Sequence, residues 1–342
     1  MIYEGGDVSG PVFVTGVAGF IGSHLAEALL REGLEVRAID NLLGGCTDNI
    51  PSGTFFRRAD CRDVDQYMDL LGGVDVVFHR AAAPYEGISV FSPHLVHEHT
   101  CGSTIATLSA AARSGIQRFI FCSSMARYGV GRPPFTEDMV PAPVDPYGVA
   151  KYAAEMTIRS VCQTHEVEFN IAVLHNVIGP RQRFDDPYRN VAAIMINRML
   201  RELRPVIYGD GSQRRCFGFV SDTVSCLIKL GSDEHVQGEV VNIGPDEEAV
   251  TILELAQLIA DIIGARCDPI FVRRRPLEVH HATCSADKAR RLLGYKTQVS
   301  LREGLTAMVE WIAAQGPREF NYHLPLEIVN ESTPETWTQR LI

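Results

Sequence analysis

VFVTGVAGFIG, residues 12–22, decides the fold. Its apolar opening, Val12-Phe13-Val14, has the composition of a strand buried on both faces. Gly16-x-x-Gly19-x-x-Gly22 follows, and an amphipathic segment begins at once. A dinucleotide pyrophosphate needs that context. Gly16 permits a tight turn, Gly19 lets the backbone approach the phosphates, and Gly22 lets a helix pack close on the sheet. The helix N-terminus then turns its free N–H groups toward the negative charge. Three glycines alone are a weak signal, but Asp40 ends a second apolar strand, Val36-Arg37-Ala38-Ile39. An acid there hydrogen-bonds ribose hydroxyls and repels a 2′-phosphate. Asn41-Leu42-Leu43 adds no basic residue, so the reading is NAD rather than NADP.

Working outward, 342 residues can bury a large core and carry two closely joined lobes. Apolar residues at 46% and charged residues at 22% describe a globular enzyme rather than a disordered or fibrous chain. A net charge of −10 argues against nucleic acid as a partner, while a local basic pocket can still hold an anion. Met1–Pro11 has neither a basic n-region nor an apolar h-region, so no signal peptide is expected. No apolar run approaches the ~20 residues of a membrane span. The nine cysteines include no C-x-x-C pair and fit scattered thiols in a reducing cytoplasm.

Phe20, Ile21, Leu25, Ala28 and Leu29 recur at helical spacing, and Gly33 stops that helix. Phe55-Phe56 leads to Asp60, and an acidic helix is expected near 63–71. A fourth strand over 74–79 enters Arg80-Ala81-Ala82-Ala83-Pro84, whose small residues let a flat cofactor lie close. A helix is expected over 93–114 and a fifth strand over 118–122. Strand and helix alternating at this rhythm predict a doubly wound parallel α/β sheet of the Rossmann type.

After the fifth strand come Ser123-Ser124-Met125-Ala126, a Pro-rich loop, and Tyr147-Gly148-Val149-Ala150-Lys151. Tyr147 and Lys151 share a helix face. An ammonium and a nicotinamide cation near a phenol lower its pKa from about 10 toward neutrality. The phenolate can then take a proton from a substrate hydroxyl, with Ser124 sharing the hydrogen bond.

With these residues in view the chain resembles the extended short-chain dehydrogenases/reductases, in the nucleotide-sugar epimerase/dehydratase branch typified by UDP-glucose and UDP-glucuronate 4-epimerases. The resemblance runs from about Val12 to Gly316. It implies catalytic roles for Tyr147, Lys151 and Ser124 and a cofactor site for NAD. Around the phosphates and ribose that site would use Gly16, Gly19, Phe20, Ile21, Gly22, Asp40 and Asn41. Asp60 and Cys61 would lie toward the adenine, and Ala81, Ala82, His99, Ser123 and His175 nearer the nicotinamide. Family dehydratases place an Asp-Glu pair after the serine and decarboxylases a Glu; Met125-Ala126 offers no acid. Elimination then lacks its proton shuttle. The resemblance therefore implies an epimerase, with a decarboxylase or oxidoreductase as the rival enzymes and an NAD-sensing protein as the non-enzyme reading.

It also divides the chain into an NAD-binding domain, 1–174 with a returning segment at about 217–243, and a smaller α/β substrate-binding lobe, 175–216 and 244–342. Asn176 would contact the sugar, and Asn190, which opens a helix running to about Leu203, would also bind substrate. Tyr208 and Arg215 resemble a nucleotide clamp, and Arg275 with Glu278 a phosphate and ribose pair. In Gly-Pro-Arg-Gln-Arg, Arg183 matches the arginine that grips a C6 carboxylate in UDP-glucuronate epimerases. A solvated arginine beside Asp185 and Asp186 is the even alternative. Four residues depart from the pattern: His99 for an asparagine, Arg80 for an apolar residue, Cys216 for an aspartate, and His175 for an aromatic. No metal is expected, since His94, His97 and His99 do not share one face. A homodimer is implied by resemblance alone. For 320–342 the sequence leaves open whether the tail packs on the substrate lobe or on a second subunit.

Overall fold

The computed structural model describes residues 10–342, so the expectation about a signal peptide lies outside the described residues. Seven strands form one parallel sheet: β1 (Val12–Thr15), β2 (Val36–Asp40), β3 (Phe55–Arg58), β4 (Val76–His79), β5 (Arg118–Ser124), β6 (Glu168–Leu174) and β7 (Val240–Ile243). Their order across the sheet is β7-β6-β5-β4-β1-β2-β3. Chain direction across the sheet therefore reverses between β1 and β4. That switch point leaves a crevice above the strand ends, where such sheets bind ligands.

The central strands β1 and β4 are buried on both faces, as near-continuous apolar runs require. One face is covered by α1 (Phe20–Arg31) and by the helix Val220–Ser232, which meets Phe78 and Leu25 in a single apolar cluster. The other is covered by α2 (Ser103–Arg113) and α3 (Pro146–His165), around Phe13, Phe119 and Phe121. A third core belongs to the second lobe, where α4 (Val191–Leu200) packs with the helices Ile252–Ile263 and Leu301–Gln315. Both of the latter helices start with a capping box, Thr251 with Glu254 and Ser300 with Glu303.

Two expectations change. The acidic helix near 63–71 is two 3-10 turns, Val64–Gln66 and Met68–Leu71. The tighter turns carry Tyr67, Leu70 and Leu71 all into the core, where Tyr67 stacks on Phe13 at 5.9 Å. The helix expected over 93–114 is interrupted by a π-turn, Glu98–Gly102, between Pro93–His97 and α2. The π-turn carries His99, which lines the crevice, while His94 and His97 line a separate surface hollow. Among the described residues no helix is long and apolar enough to cross a membrane.

The tail crosses both lobes. Glu327 accepts hydrogen bonds from the His94 and Leu95 amides at 3.0 and 2.8 Å, capping the helix Pro93–His97. Trp337 then reaches the second lobe, its indole N–H donating to the Pro187 carbonyl at 3.3 Å and its ring set edge-on to Phe91 and Tyr188.

Candidate active site

The crevice encloses about 420 Å³ and runs from the glycine loop to the second lobe. At the loop, Gly16 has φ +75°, and a Cβ there would fall 2.9 Å from the Ala81 amide. A Cβ at Gly22 would lie 2.1 Å from the Gly16 carbonyl oxygen, so only glycine lets α1 start this close to the turn. Gly22 itself does not line the crevice; Gly16, Gly19, Phe20 and Ile21 do. Asp40 is buried at the end of β2, accepting from the Ala18 and Leu42 amides at 3.0 and 2.7 Å. Burial pushes its carboxyl up and those amides oppose the shift. Asn41 donates to Asp60 at 3.0 Å, tying the ends of β2 and β3 together. Burial raises the Asp60 carboxyl, but Arg62 and Asn41 outweigh it and hold the group below its ordinary value. Cys61, Ala81 and Ala82 complete this wall.

Tyr147 sits in the first turn of α3, whose N-cap Asp145 accepts from the Gly148 amide at 2.9 Å. Burial pushes Asp145 up to about 6. The Tyr147 phenol is also buried and pushed up to about 12, with a hydrogen bond from Ser124 pulling the other way. One helical turn on, the Lys151 ammonium donates to the Cys122 carbonyl at 2.7 Å and lies 4.8 Å from the Phe121 ring centroid. Burial pushes Lys151 down to about 7. Behind them Ser123 donates to Glu155, which faces Arg127 at 3.0 Å in a pair shut off from solvent.

On the opposite wall Asn176 donates to the Cys216 carbonyl at 3.0 Å. Asn190 accepts from the Ala192 amide at 3.1 Å and so caps α4. Arg183 is 21% exposed and lines the crevice, its Nε 2.8 Å from Asp185, so it is neither free nor fully solvated. Asp186, by contrast, is fully buried, where Tyr85 donates to it at 3.1 Å. Arg275 pairs with Glu278, lies 4.9 Å from the Tyr208 ring, and keeps a buried Nε without a partner. Arg215 donates to the backbone carbonyls of Val279 and His280 at 2.6 and 3.1 Å.

A family model described as the NAD dependent epimerase/dehydratase family matches residues 12–244. The chain belongs to that family. It is 34% identical to a putative UDP-glucose 4-epimerase of Methanocaldococcus jannaschii over 308 residues, 88% of this chain and 98% of the relative. Its structure is similar to that of Thermotoga maritima UDP-glucose 4-epimerase with UDP-glucose, with TM-score 0.84 and 32% identity over 89% of this chain and 99% of that one. It is equally similar to Bacillus cereus UDP-glucuronic acid 4-epimerase in complex with UDP-glucuronic acid and NAD, with TM-score 0.84 and 31% identity over 90% and 100%.

The residues present fit the family's NAD. The glycine loop leaves a cradle that a Cβ would fill, and the buried Asp40 carboxyl stands at its rim. His175 is the one further residue from the expected set that the crevice does not include. Its ring packs against Gly244 at the end of β7, and burial pushes it down to about 4. The folded state therefore keeps His175 neutral while an unfolded histidine binds a proton below about 6.5. Stability from this group is complete above pH 6.5 and is lost as pH falls toward 4, by roughly 3 kcal/mol. Replacement by phenylalanine is expected to flatten the fall of Tm across that window relative to the native chain.

Sequence reasoning missed several crevice residues: Glu86, Arg189, Gln213, Trp337 and Ile342. Each comes from a loop, a short helical turn or the tail, where no periodicity points to it. Among the described residues no group of three or more His, Cys, Asp or Glu is placed to hold a metal ion.

Proposed function

We propose that this NAD-dependent enzyme is a 4-epimerase of a UDP-hexose, with UDP-glucuronate as its leading candidate substrate. Ser124, Tyr147 and Lys151 line one crevice, and the turn after the serine carries Met125-Ala126 where a dehydratase or decarboxylase needs an acid. That observation carries the reading. When bound, NAD supplies the acceptor and donor of hydride for C4. Tyr147, as phenolate, removes the proton of the C4 hydroxyl as that carbon is oxidised, while Ser124 orients the hydroxyl. The 4-keto sugar turns over about its phosphate linkage, and Tyr147 returns the proton on the other face. Lys151 holds the cofactor ribose beside the phenol. Arg215 and Arg275 take the diphosphate, Glu278 the ribose, Tyr208 the base, and Asn176 and Asn190 the sugar.

Arg183 reads the C6 carboxylate in this scheme. Arg183→Met is expected to raise KM for UDP-glucuronate roughly 10- to 100-fold, the loss of a charged hydrogen bond, and to leave a neutral sugar unaffected. The test is product NMR after incubation with UDP-glucuronate, UDP-glucose or UDP-N-acetylglucosamine. Epimerisation at C4 without CO₂ release supports the reading. Conversion of neutral sugars alone removes the carboxylate role of Arg183, and release of CO₂ from the uronate makes the protein a decarboxylase. The enzyme is taken to work as a homodimer in the cytoplasm, on resemblance alone.

A further inference from the structure

Arg183 lies in the loop before α4 and lines the crevice. Its Nε donates to the Asp185 carboxylate at 2.8 Å. Its Nη1 donates to His323 Nε2 at 3.3 Å and to the Leu43 carbonyl at 3.4 Å. Its Nη2 meets no hydrogen-bond acceptor among the described residues. A guanidinium held by two of its nitrogens, with donors left over on the third, is pre-organised for an anion. His323 belongs to the tail, and its side chain is only 14% exposed. Its Nδ1 stands 3.0 Å from the Asn321 carbonyl, which can only accept. The ring proton is therefore on Nδ1, and Nε2 offers the lone pair that an arginine N–H needs. The Tyr85 hydroxyl lies 3.3 Å from Nε2, and the buried Asp186 carboxylate lies 4.0 Å from it. The backbone on both sides of the ring is tied down. Asn321 donates its amide to the Asp185 carbonyl at 2.7 Å, and the Tyr188 hydroxyl donates to the Leu324 carbonyl at 3.2 Å. Asp185 thus anchors Arg183 through its carboxylate and the tail through its carbonyl.

We propose that His323 is a positioning residue for sugar selection: its Nε2 accepts from Arg183 and holds that guanidinium at the crevice wall, so the tail helps set the preference for a carboxylate at C6. This rests on the reading of Arg183 as the group that takes the carboxylate. His323 does not line the crevice itself, so it acts through the arginine. Without the acceptor, Nη1 keeps only the long contact to Leu43, and the side chain can turn about its bond to Asp185. Ordering that side chain again on binding costs free energy that the native site has already spent. A neutral C6 hydroxymethyl group forms no charge-assisted pair with Arg183 and loses less from its disorder.

The test is calorimetric binding of UDP-glucuronate and of UDP-glucose to the NAD-loaded enzyme, read as the ratio of the two Kd values. Circular dichroism and NAD content check folding. His323→Phe keeps a ring against Tyr85 and Tyr188 but removes the acceptor, and His323→Leu removes it with a smaller side chain. In both, the ratio is expected to move against the uronate by about 3- to 10-fold, part of the worth of a hydrogen bond to a charged group. His323→Gln, which restores an acceptor, is expected to recover most of that loss. In an Arg183→Met background, His323→Phe is expected to add nothing, because the two residues act as one unit. Where Arg183→Met shifts the ratio, an unchanged ratio in both acceptor-free variants overturns the proposal. So does a fully additive shift in the double variant, or a His323→Gln as impaired as His323→Phe. If Arg183→Met itself leaves the ratio unchanged, the carboxylate reading of Arg183 fails, and the role of His323 falls with it.

Discussion

Tyr147→Phe is expected to lower kcat by at least 10²- to 10⁴-fold, the usual contribution of a positioned acid–base group, while the protein keeps its NAD. The change removes one oxygen from a side chain that is only 7% exposed, and the ring stays in its apolar cluster with Ala83, Ile88 and Tyr188. Folding and cofactor affinity should therefore hardly move. What is lost is the hydroxyl that hydrogen-bonds Ser124 and that, in the proposed mechanism, carries the substrate proton in and out. Steady-state turnover alongside NAD content per subunit checks this. Retained turnover would remove Tyr147 from the mechanism, whereas joint loss of turnover and NAD would make it a structural residue.

The largest effect on stability is expected behind the site. Glu155→Ala should destabilise the fold by about 3–5 kcal/mol, because it leaves the Arg127 guanidinium buried and unpaired. Glu155 is fully buried and Arg127 is 4% exposed at its side chain. Arg127 also lies 5.2 and 5.7 Å from the rings of Tyr128 and Tyr152, which do not replace a counter-ion. The carboxylate further accepts from Ser123, so the same change loosens the end of β5 that presents Ser124. Chemical denaturation of Glu155→Ala beside the double variant Arg127→Leu/Glu155→Ala measures it. The double variant should recover much of the loss, since two apolar side chains leave no charge stranded. A single variant within 1 kcal/mol of the native chain would show the pair to be dispensable.

The parts of this site readable from sequence are those that sit in regular elements. The glycine loop, Asp40, and the Tyr147–Lys151 pair each lie at a strand end or on a helix face, where spacing fixes direction. The doubly wound parallel sheet followed from alternation of strand and helix, whereas the order of its strands came from the structure. What spacing could not give is the meeting of distant loops. Arg275 and Glu278 occur three apart, but that they pair under Tyr208, whose hydroxyl meets Thr336 of the tail, depends on the folded second lobe. The path of 320–342 was open because its contacts, with Phe91, Pro187 and Arg198, are backbone and loop contacts without a periodic trace. The π-turn at Glu98–Gly102 was equally hidden: its residues read as helix, and only packing shows the extra residue. Arg80 was visible as a departure, and the structure adds that it lines the crevice with its buried Nε unpartnered.

The proposed reaction is an oxidation and re-reduction at one carbon within a single bound sugar. Its most direct measurement uses UDP-glucuronate carrying deuterium at C4, with mass and NMR analysis of the product. Epimerised product that keeps the deuterium at C4, formed without CO₂, is the predicted result. A product in which C4 has exchanged its label, or no C4 epimer at all from enzyme that demonstrably holds NAD, would contradict it.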